Sequence, residues 1–89
     1  MTVDARTGDQ ANELQLAFAD DVAFRRWYDG SLPRVFAYLL SRTGIDSALA
    51  EELTQQTFVT AIESRHRFDG RADSVTWLCS IARHKLADH

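Results

Sequence analysis

The sequence predicts an all-α fold, a compact bundle of three main helices with a further helix at the N-terminus. Three observations carry this. Apolar residues recur at spacings of three and four along most of the chain, with no alternating strand pattern of useful length. One Pro and four Gly among 89 residues leave long stretches free to run as helix. Cap and stop residues fall between the periodic stretches at helical intervals. A chain of this size buries one modest core. Its 45% apolar and 26% charged residues are those of an ordinary soluble domain. No apolar run approaches the roughly 18 residues of a membrane span. The opening MTVDARTGDQ lacks the apolar centre of a signal peptide, so a cytoplasmic location is expected.

Residues 1–9 lack periodicity and contain Gly8, so a flexible end is expected there, with the domain proper over residues 10–89. Leu14, Ala17, Phe18, Val22 and Trp27 then fall near helical spacing. Asp20 or Asp21 can start a fresh helix, because aspartate caps well and favours the positive helix end. Residues 10–29 are thus either one helix or two with a break near Asp20. Asp29-Gly30 is a turn signal and is expected to end this element.

Ser31-Leu32-Pro33 reads as a helix start, with Ser as cap and Pro in the first turn, where its missing N–H leaves nothing unpaired. Val35, Phe36, Leu39 and Leu40 are at core spacing, while Arg34, Tyr38 and Arg42 look outward or sit at the boundary. Thr43-Gly44 closes the helix, glycine suiting a left-handed C-terminal cap.

Asp46 or Ser47 caps the next helix. Leu49, Leu53, Thr57 and Ala61 form one stripe, widened by Phe58 and Ile62. On the other face Glu52, Gln55, Gln56, Val59 and Glu63 line up, rich in carboxylates and amides with no cation among them. Arg65–Ser74 is a polar break with Phe68 as its expected anchor and Asp69-Gly70 as a turn. Asp73 or Ser74 caps the last helix. There Val75, Leu78, Cys79, Ala82 and Leu86 form the core stripe, flanked by Trp77 and Ile81, with Thr76, Ser80, Arg83, His84 and Ala87 opposite.

Charge is unevenly distributed. Residues 1–43 carry −1, residues 44–64 carry −4 and residues 65–89 carry +2, within a net charge of −3. An acidic segment followed by a basic one suits two different partners, although charge alone favours solvated helix faces. The sequence lacks a phosphate-cradling glycine loop and paired cysteines, which excludes the common nucleotide and zinc motifs. His66, His84 and His89 form no ligand cluster, and no nucleophile–base arrangement is evident. Neither catalysis nor a cofactor is expected. Cys79, the only cysteine, reads as a small core residue.

Residues 46–88 resemble region 2 of bacterial sigma factors, closest to the extracytoplasmic-function (ECF) group of the sigma-70 family. Ala50–Phe58, AEELTQQTF, resembles the family's A-E-D-L-x-Q-E-T-F. Thr76–Asp88, TWLCSIARHKLAD, resembles T-W-L-x-x-I-A-R-N-x-x-x-D, and Phe68-Asp69-Gly70 with its polar loop lies between them. Trp27–Gly44 looks like the family's first packing helices. The resemblance implies transcription initiation. It assigns docking on the RNA polymerase β′ clamp coiled coil to Asp46, Glu51, Glu52, Gln55 and Gln56. It assigns the promoter −10 element, chiefly its melted non-template strand, to Arg65, Arg67, Asp69, Gly70, Arg71, Ser74, Trp77, Ser80, Arg83, His84 and Lys85. An anti-sigma factor that masks both faces is an expected further partner, and no membrane insertion is expected.

The physical reading agrees with these roles. An arginine-rich helix suits a row of carboxylates and amides. Single-stranded DNA suits cations, stacking surfaces and a pocket for an unstacked base. Spacing alone places Trp77 in the core, whereas the resemblance offers it a stacking role. His84 stands where the family usually has Asn, which alters any contact made through that amide. The family usually continues into a strongly basic run and a second DNA-binding domain, region 4. A fragment of a longer sigma factor with weak DNA affinity of its own is therefore expected. The other reading is a helix-turn-helix module for duplex DNA, which would need a shorter break than residues 69–74.

Overall fold

The computed structural model describes residues 14–89. The expected flexible stretch over residues 1–9 lies outside the described residues. Helix α1 is described over residues 14–17. It is followed by α2 (Asp21–Arg42), α3 (Ser47–Glu63), a 3₁₀ turn (Arg65–Arg67) and α4 (Ser74–Asp88). Each of α2, α3 and α4 packs on the other two. No strand occurs among the described residues, as the all-α reading expects.

The three main helices begin at aspartates. Asp20, Asp46 and Asp73 accept from the backbone N–H groups of Ala23 (2.8 Å), Leu49 (3.0 Å) and Thr76 (2.8 Å). Each satisfies one of the donors that a helix start leaves without an internal partner. The break near Asp20 is thus real: residues 18–19 form a turn and a new helix starts beyond it.

One boundary differs from the sequence reading. Asp29-Gly30 does not end a helix and Ser31 does not start one, because α2 runs unbroken through Gly30 and Pro33. The reason is the buried stripe Trp27, Ser31, Val35 and Leu39, four residues apart at each step. Ending the helix at Gly30 would take this stripe out of register. Burying a large apolar side chain contributes about 1.5–3 kcal/mol. Several such residues outweigh an interior glycine (~1 kcal/mol) and proline (~3 kcal/mol). Pro33 and Asp29 are both exposed, so the carbonyl that loses its donor faces water.

The core gathers Leu14 and Ala17, the α2 stripe, Ala50, Leu53, Phe58 and Ala61 of α3, and Leu78 and Ala82 of α4. The α3 stripe is rotated relative to the sequence reading. Ala50 and Thr54 are buried while Leu49 and Ile62 are half-buried. Thr54 and Thr57 enter the core because their hydroxyls donate to the carbonyls of Ala50 (2.7 Å) and Leu53 (2.8 Å). Val22, placed on the apolar side by spacing, is 69% exposed. Trp27 meets Phe18, Phe24 and Phe58 with ring centroids 5.7–5.9 Å apart, joining α2 to α3.

Candidate functional site

The exposed face of α3 carries Glu51, Glu52, Gln55, Gln56, Val59 and Glu63, all exposed. Its regularity follows from the helix period, since the buried residues Leu53, Thr54, Thr57, Phe58 and Ala61 occupy the opposite side. The Gln56 amide donates to Glu52 Oε2 at 3.2 Å, one link along the row. Asp46 stays exposed while capping the helix, so its carboxylate already has an internal task. The sequence shows no cation along this line, but the fold brings one to its edge. Lys85 of α4 borders the same shallow groove as Glu52, Gln56 and Glu63. The only ion pair among the described residues is elsewhere, between Arg71 Nε and Asp69 Oδ2 at 3.3 Å.

The α3–α4 break and α4 build a second face. Arg67, Trp77, Ser80, His84 and Lys85, five of the residues assigned to DNA, line one groove of about 320 Å³. Sequence reasoning missed its other walls, Thr60, Ser64, Ile81 and Asp88. Thr60 and Ser64 come from the end of α3, and only packing could reveal them. Trp77 is half-buried, its ring 5.2 Å from that of Phe68. The ring thus packs on Phe68 and also borders the groove. Phe68 anchors the break as expected.

The remaining assigned residues are spread more widely. Arg65 turns away from Arg67. Its guanidinium donates to the Ile62 carbonyl at 2.7 Å, stacks 5.1 Å over Phe18, and borders a separate cavity with Leu14 and His66. It therefore closes the end of α3 and covers the N-terminal segment. Asp69 accepts from the Arg71 backbone N–H at 3.0 Å, and Gly70, buried with φ of +80°, completes the turn. The Asp69–Arg71 pair is largely exposed and adds little to stability. Arg83 is exposed on α4.

Ser74 departs most from its assignment. It is only 2% exposed, and its hydroxyl accepts the Trp27 indole N–H at 3.0 Å. The oxygen faces inward and is already bonded, so in this structure the hydroxyl serves a structural task. Asp73, left to cap α4, is held below the usual aspartate range by the Thr76 hydrogen bonds, with Arg34 adding attraction. Burial pushes the Cys79 thiol up, which fits packing rather than reactivity.

These features define a helical interaction domain with two chemically opposite faces, one acidic and amide-rich, the other basic and aromatic. The chain belongs to the sigma-70 family, as region 2 of an ECF-type sigma factor: the family description Sigma-70 region 2 matches residues 27–89. It is 38% identical over 87 residues to the ECF RNA polymerase sigma factor BldN of Streptomyces coelicolor, covering 96% of this chain and 31% of that protein. It is 50% identical over 44 residues to the ECF RNA polymerase sigma factor SigC of Mycobacterium tuberculosis, covering 49% of this chain and 24% of that one. Against SigX of Bacillus subtilis identity is 42% over 43 residues, 48% of this chain and 22% of the relative. The chain thus spans a third or less of the length of these relatives. No solved structure matches it at comparable significance. No helix among the described residues is long and apolar enough to cross a membrane.

Proposed function

We propose that this domain acts in transcription initiation by joining RNA polymerase to the −10 element of a promoter. The α3 row, Glu51, Glu52, Gln55 and Gln56 with Asp46 at its start, docks on the β′ clamp coiled coil. The groove of Arg67, Trp77, Ser80, His84 and Lys85 takes the melted non-template strand, and the exposed Arg71 and Arg83 add contacts to its phosphates. The observation that supports this most is the segregation of the two faces: the acidic row lies on α3, and the cations and the Trp77 ring lie on the break and α4. A row of acceptors and amides suits a basic helical partner. A groove with cations and an aromatic edge suits unstacked bases and phosphates. An anti-sigma factor would act by covering these faces.

The test is binding of the chain to the isolated β′ clamp coiled coil, wild type against Gln55→Ala/Gln56→Ala. Loss of two central contacts should weaken binding about tenfold or more, with the melting temperature little changed. No binding by folded wild-type protein would remove the proposal.

A further inference from the structure

The Trp27–Ser74 hydrogen bond joins residues 47 apart, whereas every other side-chain hydrogen bond among the described residues joins positions no more than four apart. No other hydrogen bond and no ion pair among the described residues joins α4 to α2 or α3; what remains is apolar packing, which has no direction of its own, and the attraction of Arg34 for Asp73. The Arg71–Asp69 and Thr76–Asp73 contacts order the loop internally but tie it to nothing distant.

The bond also bears on register. Asp73 and Ser74 are neighbouring residues, both good helix caps. With the Ser74 hydroxyl engaged by the indole, Asp73 alone is left to cap, and α4 starts at Ser74. Three residues further on, Trp77 enters the basic groove. At the other end of the contact, the Trp27 ring is fixed by Phe18, Phe24 and Phe58, so the donor cannot drift.

We infer that Trp27 and Ser74 are positioning residues: their buried hydrogen bond latches loop 69–73 and the first turn of α4 onto α2, setting where the loop and Trp77 meet the nucleic acid. The latch itself is a property of the fold, and its use for DNA rests on the function proposed above.

Trp27→Phe keeps an aromatic ring and removes the donor. Ser74→Ala removes the acceptor. The double variant Trp27→Phe/Ser74→Ala removes both, so no buried polar group is left alone and stability should largely recover. Amide hydrogen exchange and affinity for a mixed-sequence single-stranded oligonucleotide are measured on all three and on the wild type. A latch predicts exchange at residues 70–77 at least fivefold faster in all three variants, beyond any change in residues 53–61 of α3. It also predicts that this excess persists in the double variant after its melting temperature has recovered. Exchange that changes equally throughout the domain, or loop protection that returns with stability in the double variant, would overturn it. If the exchange result holds but wild-type protein binds no single strand, the latch stands and the nucleic-acid part of the proposed function fails. If both hold, the three variants should bind the oligonucleotide at least threefold more weakly.

Discussion

Ile45 sits between α2 and α3 with φ of +67°, immediately after Gly44 at +68°. Its N–H donates to the Leu40 carbonyl at 3.1 Å, closing the end of α2. Glycine adopts this conformation freely, but for a branched side chain it costs about 1–2 kcal/mol. Nothing is recovered by burial, because Ile45 is 77% exposed. Ile45→Asn should therefore stabilise the domain by about 1 kcal/mol, since Asn tolerates this region far better. For a domain of this size that is a rise of about 4–8 °C in melting temperature, readable by thermal denaturation. A fall would mean that the Ile side chain has packing value at this turn. The Gly44 cap is legible in the sequence because the requirement is local. The strain at Ile45 is not, because no sequence rule places isoleucine there.

At the scale of elements, α2 shows how a buried stripe overrides punctuation. Gly30 and Pro33 read as a stop and a start, yet they lie inside one helix whose buried face runs from Trp27 to Leu39. A Cβ added at Gly30 would meet nothing within 4 Å. Gly30→Ala should thus stabilise by about 0.5–1 kcal/mol, by removing the conformational freedom of glycine from a helix interior. Were the helix to end at Gly30, the same change would give no gain or a loss. Chemical denaturation of the two proteins decides it. Elsewhere the elements follow their local signals. The caps at Asp20, Asp46 and Asp73 each needed only a side chain three residues from a free backbone donor. The exposed row of α3 was legible for a similar reason, since it is the complement of an apolar period within one helix.

At the scale of the whole molecule, the two faces meet at Lys85. This side chain borders the groove of Trp77 and His84 and also the groove of Glu52 and Gln56. Arg67 borders only the first of these. The two cations should separate in a binding experiment. Arg67→Ala should weaken single-stranded DNA binding and reduce the slope of log affinity against log salt by roughly 0.7, the value for one phosphate contact on a single strand. It should leave clamp affinity unchanged. Lys85→Ala should alter both affinities, and its effect on clamp binding should not add to that of Gln55→Ala/Gln56→Ala, because those side chains share a groove. Equal effects of both substitutions on both partners would contradict the two-face arrangement.

The sequence by itself determined the helical class, the approximate starts of the three main capped helices other than the false start at Ser31, the acidic row, the basic α4 and the family, because each rests on residues within a few positions or on two short motifs. Tertiary structure decided the continuity of α2, the turning of Arg65 toward Phe18 while Arg67 joins the groove, the second neighbourhood of Lys85, and the burial of Ser74 against Trp27. Capping and helical periodicity act over three or four residues, so the local chain specifies them. Burial and a bond across 47 residues depend on which distant side chains the packed core brings together.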